Sequence, residues 1–260
     1  MNKAVNTKDL LAGKRIVVTR APHQAGGLED VIRQFGGAPI AYPCIAIAPP
    51  TDFAEFDDCL LRLHAYDWLA LSSGNAVRAV ADRARTMAAL PALKRMRIAA
   101  LGPATEAETR SHLGRGADFV PSAFGAEALA RELPVGERSR ILLPQSDLAD
   151  DRAAQIMRSR GADVTAVVAY RTVTGSGGAN LPAMIASGKI DALTFASPSA
   201  ILFFRQRCSA PAALALPALC LGKRTARSAA DAGFRCVIIS REFGLRAMLL
   251  SYAAYCAQHD

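Results

Sequence analysis

Short runs of β-branched and other apolar residues alternate along this chain with longer stretches whose apolar positions recur every three or four residues. Ile16-Val17-Val18, Trp68–Leu71, Ile98–Leu101 and Val164–Val168 are of the first kind. Each is too short for a helix and bounded by polar turns, so each predicts a strand. Ala76–Arg85 and Ala104–Leu113 have helical spacing, as do the segment ending at Phe35 before Gly36-Gly37 and the segment Asp150–Arg160 before Gly161. Strands that alternate with helices imply an α/β fold, with parallel sheets covered by helices on both faces.

The pattern occurs twice. Arg15-Ile-Val-Val-Thr-Arg20 is answered by Arg140-Ile-Leu-Leu-Pro-Gln145, and Tyr66–Ala76 by Ile190–Ala200. Leu101-Gly-Pro-Ala-Thr105 is answered by Leu221-Gly-Lys-Arg-Thr225, and Phe124-Gly125 by Phe243-Gly244. Four echoes in one order point to an internal duplication and so to two similar doubly wound domains. The Pro- and Gly-rich pieces Pro43–Pro50 and Thr174–Gly178 are the natural linkers.

Composition narrows the chemistry. No apolar run reaches the roughly 18–20 residues that a membrane span requires, so no membrane association is expected. Met1 to Gly13 carries Lys3, Lys8 and Asp9 and does not read as a signal peptide, so a cytoplasmic protein is expected. The six cysteines form no CxxC pair and the four histidines lie at no ligand spacing, which predicts reduced thiols and no metal site. A net charge of +8 suits a polyanionic ligand. The basic residues are spread out and not interleaved with aromatics, so nucleic acid is not the expected partner.

In open parallel sheets, ligands bind beyond the carboxyl ends of the strands, where helix N-termini favour anions. The candidate turns come in matched pairs: Ser72-Ser73-Gly74-Asn75 with Ser197-Pro198-Ser199, and Gly102-Pro103-Ala104-Thr105 with Gly222-Lys223-Arg224-Thr225. Thr19 and Arg20 close the first strand. Ser and Thr before a helix are also ordinary N-caps, and Lys223 and Arg224 could be solvated charges. As a set, these turns suit a ligand with several carboxylates. Tyr170, after an apolar run, reads either as an amphipathic boundary residue or as a phenol that gives a proton. No GxGxxG or GxxxxGK[ST] follows a strand, which leaves a nucleotide-dependent transferase without support.

Taken together these residues resemble the uroporphyrinogen-III synthase family. The likeness runs from Lys14 to about Tyr252. It takes in Val18–Arg20, Tyr42-Pro43, Asp67-Trp68 leading into Ser72–Ala76, Leu101–Thr105, Tyr170–Val173, Phe195–Ser199 and Leu221–Thr225. The resemblance implies two doubly wound parallel-sheet domains joined by a two-stranded linker, with the active site in the cleft between them. One domain would be 13–41 plus 175–260 and the other 50–168. The linker strands would be 42–49 and 169–174, and 1–12 a flexible tail.

The implied reaction needs no cofactor. It closes hydroxymethylbilane, a linear tetrapyrrole, to uroporphyrinogen III with inversion of ring D through a spiro intermediate and loss of water. Tyr170 would be catalytic. Thr19, Arg20, Ser72, Ser73, Thr105, Ser197, Ser199, Lys223, Arg224 and Thr225 would bind substrate. A monomer is implied, and transient contact with hydroxymethylbilane synthase is the partner it allows. Gly74 stands where many relatives have proline, which predicts a looser helix start. Gln145 replaces a commonly basic residue, and Lys223-Arg224 a Pro-Thr pair. The competing reading is a non-catalytic two-domain protein that binds a small polycarboxylate.

Overall fold

The computed structural model describes residues 9–123, 125–242 and 244–259. Among them the strands are β1 Arg15–Val18, β2 Ala38–Ala41, β3 Ile45–Ala48, β4 Trp68–Leu71, β5 Arg97–Ala100, β6 Arg140–Ser146, β7 Asp163–Thr174, β8 Ala192–Phe195, β9 Ala218–Cys220 and β10 Val237–Ile239. The helices are α1 Pro22–Gln34, α2 Ala54–Leu61, α3 Gly74–Thr86, α4 Leu90–Leu93, α5 Pro103–Leu113, α6 Ala126–Glu132, α7 Arg152–Ser159, α8 Leu181–Ala186, α9 Pro198–Arg207, α10 Lys223–Asp231 and α11 Leu245–His259.

The chain forms two compact units, Met1–Ala46 with Val173–Asp260, and Ile47–Thr172. Each holds a five-stranded sheet, ordered β10-β9-β8-β1-β2 in the first and β3-β7-β6-β4-β5 in the second. The β1–β2, β1–β8, β8–β9 and β9–β10 pairs are parallel, as are β4–β5, β4–β6 and β6–β7. Because both faces are covered, successive strand residues feed opposite cores. In the first unit Val17, Leu193 and Phe195 enter one core, and Ile16, Val18 and Ala192 the other, with α11. In the second, Leu69 and Leu71 pack under α3, and Trp68 and Ala70 pack with α6 and α7.

The duplication is visible in the strand order. Matching β1 to β6, β2 to β7, β4 to β8 and β5 to β9 superimposes the two orders, and a single parallel bridge, Ala99 to Phe119, stands in for β10. The halves have exchanged their first strand pairs: β1 lies against β8, and β6 against β4. Two matched residues pin the exchange. The backbone N–H of Arg15 donates to Asp191 Oδ2 at 2.6 Å, and that of Arg140 to Asp67 Oδ2 at 2.8 Å. The aspartates donate back, Asp191 N–H to Arg15 O and Asp67 N–H to Arg140 O. Burial pushes the Asp191 carboxyl up, but the bonds from Arg15 outweigh it and hold it below its ordinary value.

Two expectations need correction. The reading of 1–12 as a flexible tail fails from Asp9 onward: Leu11 is fully buried against Ile16 and Ile32, and its N–H donates to Phe35 O. Residues 1–8 lie outside the described residues, as do Phe124 and Phe243 of the fourth echo. Nor does Tyr170 stand at the end of the Val164–Val168 strand, because β7 takes in that run and the expected linker strand 169–174 as one strand to Thr174, with Tyr170 inside it.

The register pins predict a stability effect. Asp191→Ala leaves the Arg15 N–H without its acceptor and should cost about 1–3 kcal/mol, the scale of an unmet hydrogen bond. Urea unfolding of the variant beside the unaltered protein measures it.

Candidate functional site

Parallel pairing sends all the sheet-core strands of a unit toward one edge, so the turns after them gather there. In the second unit these are the turns after β4, β5 and β6, beside Tyr170 of β7. Ser73 is the N-cap of α3, its Oγ accepting from Ala76 N–H at 3.1 Å. The same Oγ lies 3.0 Å from the Tyr170 hydroxyl, and Asn75 also bonds the phenol. Burial pushes the phenol above its ordinary value. Ser73 and Asn75 pull it back in part, and the charge of Asp147 adds to the rise. The result is a buried, protonated hydroxyl fixed against a helix start.

Gly74 does not leave that start open, since the Ser73 cap is made. A Cβ at 74 would meet Glu108 Cγ at 3.0 Å, and Glu108 is held by Arg78 through bonds of 2.9 and 2.8 Å. Ser72, beside it, is half-buried. Helix α5 begins after Gly102 with Pro103 in its first turn and no side-chain cap. Thr105, in the first turn of α5, is buried.

The first unit repeats the arrangement. Ser197 caps α9 by accepting from Ala200 N–H at 3.3 Å and lies 2.9 Å from the Ser199 hydroxyl. Helix α10 begins after Gly222 without a side-chain cap; Lys223 and Arg224 are exposed and Thr225 nearly buried. Thr19 differs from these. It is fully buried, and its hydroxyl donates to Thr194 O, tying β1 to β8.

Arg20 is the reverse case. Its Nε is buried with no hydrogen-bond partner among the described residues, and burial draws its pKa down. Trp68 Nε1, also buried and without a partner among the described residues, lies at the amino end of β4, away from these turns. An orphaned guanidinium nitrogen is costly unless a ligand meets it.

The set therefore divides. Tyr170, Ser72, Ser73 and Thr105 belong to the second unit, and Thr19, Arg20, Ser197, Ser199, Lys223, Arg224 and Thr225 to the first. The sequence reading missed Asn75 as a partner of Tyr170, and it missed Asp147, which follows β6 and touches β7. A carboxylate just past a strand end was the available signal. Among the described residues no three His, Cys, Asp or Glu side chains gather as metal ligands, and no helix is long and apolar enough to cross a membrane. All six cysteines are free, and burial pushes Cys44 and Cys220 up to about 12.

Two doubly wound sheets of duplicated order define an α/β protein in which each unit carries paired helix starts at the carboxyl edge of its sheet. The chain belongs to the family described as uroporphyrinogen-III synthase HemD, whose model matches residues 27–249. It is 27% identical over 238 residues to the porphyrin biosynthesis protein HemD of Ruminiclostridium josui, covering 90% of this chain and 47% of that one. It is 32% identical over 166 residues to a uroporphyrinogen-III synthase of Synechococcus elongatus, covering 62% of each. The chain thus spans about half to three-fifths of the length of these relatives.

Among solved structures, a mutant uroporphyrinogen III synthase of Thermus thermophilus matches with TM-score 0.61 at 18% identity, covering 95% of this chain and all of that one. A uroporphyrinogen-III synthetase of Helicobacter pylori matches with TM-score 0.62 at 15% identity, covering 93% and 99%. At these identities the likeness establishes the fold.

The raised Tyr170 pKa has a measurable consequence. Below its ordinary value of 10.0 the phenol is protonated in both folded and unfolded chains. Above it the folded chain alone keeps the proton until its own pKa is passed, so stability falls across that window as pH rises. Urea unfolding from roughly pH 8 to 11 should show a shallower alkaline fall for Tyr170→Phe than for the unaltered protein. Tyr42 and Tyr66 and the thiols of Cys44, Cys59 and Cys220, also raised by burial, add to the slope in both.

Proposed function

We propose that the protein cyclises hydroxymethylbilane to uroporphyrinogen III, inverting ring D and releasing water, with no added cofactor. Family membership supports the reaction, and the Tyr170 hydroxyl set against the Ser73 cap is the observation that carries the chemistry. Burial keeps the phenol protonated, as a general acid must be before it acts. Tyr170 would protonate the departing hydroxyl, which leaves as water and converts the chain to an azafulvene cation. Ring D then attacks through its substituted carbon to give the spiro intermediate. That intermediate fragments and recloses with ring D inverted, and loss of a proton completes the product.

Closure through the unsubstituted carbon gives isomer I and needs no enzyme, so holding the crowded carbon near is the main task of the protein. The substrate is rich in carboxylates. The uncapped starts of α5 and α10, the Ser197 turn, Lys223 and Arg224 suit such a ligand. Arg20 would gain through its Nε the acceptor it lacks. Free, mostly buried thiols fit a reducing compartment, which is the support for a cytoplasmic protein.

Purified protein supplied with fresh hydroxymethylbilane, without metal or nucleotide, should yield mainly isomer III when the porphyrin is identified after oxidation. Isomer I at the spontaneous rate would defeat the assignment and leave a polycarboxylate-binding protein. Tyr170→Phe should slow turnover by about 10²-fold or more. Arg20→Met should raise the melting temperature of the ligand-free protein while weakening the binding of uroporphyrin III, read by porphyrin fluorescence. A variant that loses stability and keeps affinity would show the guanidinium to be structural.

A further inference from the structure

Tyr170 meets the α3 cap because β7 carries one residue more than β6 beside it. Gln145 pairs with Val168, but the next residue, Ser146, pairs with Tyr170, so Ala169 is the extra residue of a β-bulge. Side chains alternate between faces along a strand. An unbroken β7 would therefore send Tyr170 to the face of Val164 and Ala166, which pack with Trp68 and Ile141. Instead Ala169 and Tyr170 both join Val167 in the core under α3, the face where Ser73 waits.

What holds the bulge is Asp147, an exposed residue just past β6. Its N–H donates to Tyr170 O at 3.1 Å. Its Oδ1 accepts from Thr172 N–H at 2.9 Å and from the Ser146 hydroxyl at 2.9 Å, and that hydroxyl lies 3.0 Å from Thr172 Oγ1. Backbone and side chain of one residue thus bind β7 on both sides of Arg171, where β6 no longer supplies partners. Thr172 N–H would otherwise lose its acceptor at a nearly buried position.

We propose that Asp147 is a positioning residue for Tyr170: its carboxylate latches the bulge in β7 that turns the phenol onto the α3 cap. The catalytic part of this inference rests on Tyr170 acting as the acid. The geometric part does not. Geometry, not charge, is the operative feature, and three variants separate the two. Asp147→Asn keeps an oxygen where Oδ1 stands and loses the charge. Asp147→Glu keeps the charge and moves the oxygens. Asp147→Ala loses both.

The full-length protein, labelled at the tyrosine ζ carbon, has five tyrosine resonances, and the one missing from Tyr170→Phe belongs to Tyr170. In Asp147→Asn that resonance and the slow exchange of the Thr172 amide should stay as they are, with kcat within about twofold of the unaltered protein. In Asp147→Glu and Asp147→Ala the resonance should move toward that of a solvated tyrosine and the Thr172 amide should exchange faster. Their kcat should fall by about 10²-fold, the cost of an ångström-scale misplacement, while KM changes little.

A glutamate variant that behaves like the unaltered protein beside a defective asparagine variant would overturn the proposal in favour of charge. An unmoved Tyr170 resonance in both Asp147→Glu and Asp147→Ala would overturn it outright. Circular dichroism checks folding, and if the alanine variant does not fold the asparagine–glutamate pair decides. Should the unaltered protein turn over no hydroxymethylbilane, the reaction is lost, and the resonance and exchange rankings still judge the latch.

Discussion

Each sheet depends on a strand borrowed from the other half of the sequence, and an aspartate secures each loan at its first residue. Asp191 takes the Arg15 N–H and Asp67 takes the Arg140 N–H, and the returning bonds set the registers of β1 on β8 and of β6 on β4. Those registers matter because a one-residue slip would turn every side chain of a strand to the opposite core. With β1 locked, Val17 and Ile16 reach the cores on their respective faces. The buried Thr19 hydroxyl on Thr194 O, answered by the Thr194 hydroxyl on Val17 O, extends the same lock to the other end of the pair.

The parallel direction of these pairs also decides where chemistry can occur. Helix starts cluster at the carboxyl edge of each sheet, with unmet N–H groups and a positive dipole end. The two kinds of turn there differ. Ser73 and Ser197 spend their hydroxyls on closing α3 and α9, whereas α5 and α10 open after glycines with no side-chain cap. Capping and ligand binding are therefore not rivals at every turn, because a serine that caps its own helix can still fix a neighbour. Ser73 does so for Tyr170.

Two features of this edge are unfavourable for folding. Arg20 buries an unpaired nitrogen, and β7 breaks its regular pairing to carry a bulge. Stored cost of this kind gathers where function needs a group held in an otherwise poor environment.

Periodicity and repetition in the sequence determined the α/β class, the duplication and the family. Strand runs such as Trp68–Leu71 and helix stops such as Gly161 are local signals, governed by residues within a few positions. The echoes carried the matched turns with them, so the positions of Ser73, Ser197, Thr105 and Thr225 at helix starts were legible too. Tertiary structure decided what those side chains do. That Thr19 faces inward, that Leu11 fills the core under Phe35, and that Arg20 has no acceptor each depend on partners far away in sequence. The direction of Tyr170 is the clearest case. Alternation along β7 predicts one face, and a single unpaired residue, set by the register against β6, selects the other.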